Sequence, residues 1–240
     1  MSPDIRQHRG AHPADAHQFG EDRLPVLRTA TAELSWLLSH EYKMTSSLKL
    51  VGDRHALTAR QRLAVSRAAC SDESRERRGR HCVSAEEIHN EKVIVDGFNL
   101  IIAVEAALSG GALLIGRDDC LRDLSSVHGS YRSVQETEHA ICLIGEVLAE
   151  LKPSTVLWLL DRPVSNSGRL ARKISALALE HGWPWDVEVV FNPDKNIILS
   201  ERIAITSDSS VLDRLARWTN FNRYLIEQRL GHSWLLDLRS

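Results

Sequence analysis

Four aspartates, Asp96, Asp161, Asp194 and Asp208, each follow an apolar run of the chain. The first is the clearest: in "VIVDGFN" a run from Val93 to Val95 ends in Asp96. Such runs suit strands buried on both faces of a sheet, and a charge inside one is costly. Asp96 is therefore expected where its strand emerges. "VLWLL" runs into Asp161, "VEVVF" precedes Asp194 in "NPDKN", and "IAIT" precedes Asp208 in "SDSS". In a parallel sheet the four acids would share the carboxyl edge, where open α/β sheets bind ligands. Gathered there they repel one another, and a divalent cation is the natural neutraliser. Mg²⁺ and Mn²⁺ take oxygen ligands; such an ion can polarise a phosphodiester and lower the pKa of a bound water. Asn99 would orient that water or the ligand, and Gly97 would permit a sharp turn beneath them. Aspartate also follows strands as a turn or helix-cap residue, so each of the four has a purely structural alternative.

Weaker candidates surround this set. Glu138, in "QETEHAICLIG", could supply a fifth oxygen but equally suits a solvated helix face. Asp118 and Asp119 read as turn residues of "GRDD", and Arg122 as a phosphate contact, a salt-bridge partner of Asp123 or an exposed residue. "DRPVSNSGRLARK" is more informative, because Ser165 or Asn166 should cap a helix carrying Arg169, Arg172 and Lys173 in its first turns. Cations there oppose the helix dipole, whereas free N–H groups attract anions. A phosphate backbone passing Ser165, Asn166, Ser167, Arg169 and Arg172 would explain the placement.

The elements that must position these residues fall into two parts. After a tail over residues 1–22, the signals from 23 to 83 are helical, including "TAELSWLLSHEY" and "LTARQRLAVSRAAC" with Thr58 as N-cap. "LKLVGDRHA" reads as a turn at Gly52, and the charge-dense "SDESRERRGRH" as a linker or exposed helix end. From residue 84 to 240, strands alternate with helices, which argues for a parallel sheet covered on both sides. The strands are "KVIVDG", "STVLWLLD", "DVEVVF", "RIAITSD" and a fifth, "SWLLDL"; "ALLIGRDDCLRDL" reads as a hairpin insertion. With 240 residues, 43% of them hydrophobic, the chain can bury a large core, and a net charge of -2 neither demands nor excludes nucleic acid. The four cysteines form no C-x-x-C pair, so reduced thiols are expected over a disulfide framework or a zinc site at Cys70, His81 and Cys82. No apolar run is long enough to span a membrane, and the N-terminus lacks an apolar signal segment; a cytoplasmic location is the expectation.

"VIVDGFNL" resembles the opening strand of the PIN/NYN group of metal-dependent ribonucleases, and "IAITSDSSVLD" is similar to that group's later strand ending in Thr-x-Asp. The resemblance covers about residues 90–215. It implies a three-layer α/β/α, Rossmann-like fold with a mostly parallel sheet, after a small all-α N-terminal domain. An uncharacterised prokaryotic family that joins a helical module to a PIN-like domain is similar too, through "LVGDRHALTARQR" and "DRPVSNSGRLA". The resemblance further implies Mg²⁺- or Mn²⁺-dependent cleavage of RNA, with Asp96, Asp161 and Asp208 holding one metal and Asp194 as a further ligand or base. One departure stands out: Ser209 and Ser210 follow Asp208 where that group often carries a second acid, and Asp213 is poorly placed to replace it.

Two other functions compete. An inactive PIN-like module would bind RNA or protein, with Arg54, Arg60, Arg62 and Arg67 as its basic face. A haloacid-dehalogenase-type phosphatase would need a second acid two residues after the first, where Phe98 stands. The partner expected is RNA, without a membrane, and a homodimer is admitted.

Overall fold

The computed structural model describes residues 8–125 and 131–239. The helical part comprises α1 (Asp15–Gln18), α2 (Leu24–Ser39), α3 (Met44–Arg54), α4 (Ala59–Ala68) and α5 (Asp72–His81). Thr58 does cap α4, in a reciprocal box: its hydroxyl accepts from the Gln61 N–H at 3.2 Å, and Gln61 Oε1 accepts from the Thr58 N–H at 3.0 Å. Two expectations are corrected. Gly52 is no turn residue but lies buried inside α3, where a Cβ would come within 2.2 Å of the Arg62 guanidinium. "SDESRERRGRH" is a complete helix, α5, with its N-cap Ser71, and its Arg78 is buried.

The α/β part runs β1 (Cys82–Val83), β2 (Lys92–Asp96), α6 (Gly97–Leu108), β3 (Leu113–Ile115), β4 (Leu121–Asp123), α7 (Thr137–Leu151), β5 (Thr155–Asp161), α8 (Ser167–His181), β6 (Trp185–Val190), α9 (Pro193–Ile198), β7 (Ile203–Ile205), α10 (Ser209–Leu212), β8 (Trp218–Thr219), α11 (Phe221–Arg229) and β9 (Leu235–Asp237). Six strands make one parallel sheet in the order β1-β8-β7-β2-β5-β6. The chain moves from β2 outward through β5 to β6, then crosses back to β7 on the other side of β2. Strand order therefore reverses between β2 and β7.

Side chains of β2 alternate between two layers, as the two-residue period of a strand requires. Val93 and Val95 pack with Leu100, Ile144, Ile174 and Phe221 of α6, α7, α8 and α11. Ile94 faces the opposite core, with Ile197 of α9 and Val211 of α10. The result is a three-layer α/β/α arrangement.

"SWLLDL" is a strand but not part of this sheet. As β9 it pairs with the β3–β4 hairpin in a separate sheet of order β4-β3-β9. That small sheet joins the two parts of the molecule. Leu113 and Leu235 enter the large α/β core, while Leu114 and Leu236 enter the core of the helical part with Leu27, Leu34 and Val65. The segment expected as a tail packs from residue 8 onward: Phe19 is buried in the helical core, Asp15 is ion-paired with Arg60, and Arg9 reaches the buried Glu105 of α6. Among the described residues no helix is long and apolar enough to cross a membrane.

Candidate functional site at the carboxyl edge of the sheet

The site begins at the junction of β2 and α6. A Cβ on Gly97 would lie 2.7 Å from Leu160 Cδ2 and 3.0 Å from the Leu159 carbonyl, so only glycine lets the helix start this close to β5. Asp96 caps that helix, Oδ1 accepting from the Asn99 N–H at 3.4 Å. Its other oxygen accepts from Thr206 Oγ1 at 3.0 Å. Asn99 answers in the opposite direction: its Oδ1 accepts from both the N–H and the hydroxyl of Ser207, each at 2.9 Å. The ends of β2 and β7 are thus laced together at the point where strand order reverses.

Asp208 caps α10 and is exposed, its Oδ1 accepting from the Ser210 N–H and hydroxyl at 2.8 and 2.7 Å. Asp194 sits in the first turn of α9, and Asp161 ends β5. Burial pushes the Asp96 carboxyl up to about 7, with Asp194 and Asp208 adding to the rise. Asp194 is likewise raised, first by burial and then by Asp208 and Asp161. All four sequence-derived acids are therefore within electrostatic reach of a neighbour. No arginine or lysine pairs with Asp96 or Asp194 among the described residues.

The donor set suits a hard cation, since it consists of carboxylate oxygens. Its spacing is wider than the sequence suggested. Among the described residues no three acids, histidines or cysteines stand close enough to hold one ion as they are placed. The strongest neighbours of Asp96 are Asp194 and Asp208, and Asp161 makes itself felt at Asp194.

A cavity of about 470 Å³ opens beside Asn99 and Asp208, between the two parts of the molecule. Phe98 and Ile102 supply its apolar lining, and Ser66 and Arg67 of α4 line it from the helical part. Arg122 also reaches this cavity, but it is not the surface phosphate contact expected. It is buried, donating twice to Asp118 at 2.8 and 2.6 Å, to the Ser207 carbonyl at 2.8 Å and to Ser209 Oγ at 3.2 Å. Asp118 is correspondingly more than a turn residue. Burial alone would raise its carboxyl, yet Arg122 and Arg78 hold it below the usual carboxylate range. Arg78 also donates to Asp213 at 2.7 and 2.9 Å.

The remaining candidates separate. Ser165, Asn166, Arg169 and Arg172 are exposed at the start of α8, on the carboxyl edge that Asp161 ends, while Ser167 is buried. Asn166 occupies the cap position in the left-handed region, yet its amide donates to the Tyr131 carbonyl at 2.7 Å and caps nothing. Glu138 does not join the acids; Lys173 Nζ donates to it at 2.6 Å on the outer face of α7 and α8. Arg54, Arg60, Arg62 and Arg67 pair with Glu33, Asp15, Asp53 and Asp123, and Arg54 remains largely exposed. Thr206, Ser207, Ser66 and Arg78 were not anticipated. Thr206 and Ser207 stand inside the quoted "IAITSDSS", where polar residues at a strand end were the available signal; nothing in the charge-dense stretch marks Arg78 as buried.

Residues 85–224, more than half of the chain, match a family described as "Domain of unknown function (DUF5616)". The chain belongs to the DUF5616 family. That match spans Asp96, Asp161, Asp194 and Asp208. Residues 26–81 match a second family, "Protein of unknown function (DUF434)", which takes in α2 to α5. A curated relative, "Uncharacterized protein MJ0935" of Methanocaldococcus jannaschii, is 28% identical over 186 residues, covering 78% of this chain and 88% of its own. No solved structure matches.

Proposed function

We propose that this DUF5616 protein is a Mg²⁺- or Mn²⁺-dependent phosphodiesterase of the PIN/NYN ribonuclease kind, acting on RNA in the cytoplasm. One observation carries the reading: Asp96 is driven to about 7 first by burial and then by Asp194 and Asp208, at the sheet's switch point. Carboxylates held together against their own repulsion are what a cation site requires before the ion arrives.

Asp96, Asp161, Asp194 and Asp208 would hold the ion, which requires the strand ends to draw the acids closer than they stand. A divalent ion bound there would supply polarisation of the phosphodiester and acidification of a water. The chain's own residues do the positioning. Thr206 fixes the rotamer of Asp96. Asn99 Oδ1 is committed to Ser207, which leaves its amide N–H groups for a phosphate oxygen. Arg169 and Arg172 offer exposed positive charge along the same edge. Four free thiols suit a reducing compartment.

A second reading has its own support. Ser209 and Ser210 follow Asp208, and the acids are spread too widely for three to meet at one ion as placed. A module that binds RNA without cutting it would need nothing more.

The test is cleavage of labelled single-stranded RNA by purified protein in Mn²⁺, with EDTA and Asp96→Asn controls. Cleavage lost in both controls is the expected result. RNA retained without cleavage in any divalent ion would select the binding module. Cleavage undiminished in Asp96→Asn would remove the assignment.

A further inference from the structure

A pair of residues just beyond the sheet edge has no part in the lacing of β2 to β7. Phe191 follows β6 and is 65% exposed. The guanidinium of Arg162, which follows Asp161, lies over its ring at 4.9 Å from the centroid. The backbone places them: Arg162 N–H donates to the Val190 carbonyl at 2.8 Å, carrying the β5–β6 ladder one step past Asp161. Asn192 then turns the chain in the left-handed region and caps α9 by accepting from the Lys195 N–H at 3.2 Å. Phe191 is thus held between the end of a strand and a capped helix, three residues before Asp194.

An exposed phenylalanine alone is ordinary. Here one face of an aromatic ring is engaged by a cation, and the pair stands on the same edge as the acids. A depression of about 420 Å³ is lined by Lys195 and Arg214 together with Asp194 itself. A flat π-surface next to a cationic furrow is the combination that receives single-stranded nucleic acid, with a base on the aromatic ring and phosphates along the cations. Duplex offers no unstacked base for such a ring.

We propose that Phe191 and Arg162 form a stacking platform for one unpaired base, whose phosphate runs past Lys195 and Arg214 toward Asp194. The proposal rests on the phosphodiesterase reading for its substrate, and it makes that substrate single-stranded.

The experiment separates binding from cleavage. Full-length protein in EDTA is titrated into a labelled oligoadenylate and into an abasic oligomer of equal length, followed by fluorescence anisotropy. Wild type should prefer the oligoadenylate. Phe191→Ala should weaken it roughly tenfold, as loss of one base–aromatic stack implies, and leave the abasic oligomer unchanged. Phe191→Trp should retain the preference. Equal oligoadenylate binding by wild type and Phe191→Ala would overturn the platform, and if Asp96→Asn still abolished cleavage the phosphodiesterase reading would survive without it. A Phe191-dependent base preference in a protein that cuts nothing would keep the platform and discard the enzyme. Absence of any oligonucleotide binding by wild type would end both.

Discussion

Thr206 Oγ1 donates to Asp96 Oδ2 at 3.0 Å across a separation of 110 residues. This bond lowers the Asp96 carboxyl against the burial that raises it, so the hydroxyl favours the charged form a cation needs. The same Thr206 oxygen accepts from the Asp208 N–H at 3.2 Å, so one side chain serves two acids.

Thr206→Val keeps the shape of the side chain and removes both roles. We expect the Asp96 carboxyl to rise further and RNA cleavage near neutral pH to fall by about tenfold, the usual scale of a hydrogen bond to a charged group. Part of that loss should return at higher pH, where Asp96 ionises again. Thr206→Ser should restore the profile. An unaltered pH–rate profile in Thr206→Val would mean that the hydroxyl does no more than hold the strands.

Stability without metal should fall as pH rises. The folded Asp96 carboxyl titrates at about 7, above its ordinary value of 3.8. Between those values the folded state keeps a proton that the unfolded chain has released, so unfolding gains ground with increasing pH. The stability is fully present below the lower value and lost once pH passes the upper one. Three pKa steps bound the loss at about 4 kcal/mol, and water reaching the half-buried carboxylate reduces it. In EDTA, Asp96→Asn should therefore gain in Tm over wild type more at pH 8 than at pH 5. A parallel pair of Tm curves would show that Asp96 ionises normally.

The existence of the main parallel strands and the acids at their ends could be anticipated because each rests on local pattern: an apolar run, then a carboxylate, then a glycine or a cap; their order in the sheet could not. What could not be read depends on distant partners. Arg78 lies in a stretch without one apolar residue and is buried only because Asp118 and Asp213 meet it from elsewhere in the chain. "SWLLDL" has the composition of any buried strand, and its membership of the small sheet is decided by pairing with Leu113–Ile115. The short β1 and β8 strands carry too few residues for a pattern. Spacing between the acids is set in part by where α9 and α10 begin, which sequence order does not give.

The arginines around Asp118 should matter for folding before they matter for RNA. Asp118 is the shared acceptor of Arg78 and Arg122, and both guanidinium groups are buried. Asp118→Ala would leave two arginines facing each other without that charge, a change that costs about 3–5 kcal/mol when a buried pair is broken. Urea unfolding of the metal-free protein should show the loss as a lower midpoint. A midpoint within experimental error of wild type would move Arg122 back among the phosphate contacts.

The cavity between α4 and the β7–α10 connection predicts a part for the helical module in substrate handling. Ser66 lines that cavity together with Asn99 and Asp208, and its hydroxyl is turned back to the Leu63 carbonyl at 2.9 Å. Among the described residues no hydrogen bond ties it to the α/β part, so it can be changed without touching the acids. Ser66→Glu and Ser66→Gln add side chains of equal size to a half-exposed helical position that tolerates both. If RNA phosphates enter the cavity, the glutamate should raise KM several-fold with kcat nearly unchanged, and added salt should narrow its difference from the glutamine variant. Equal KM values for the two variants would confine the substrate to the sheet edge and leave α4 a scaffold.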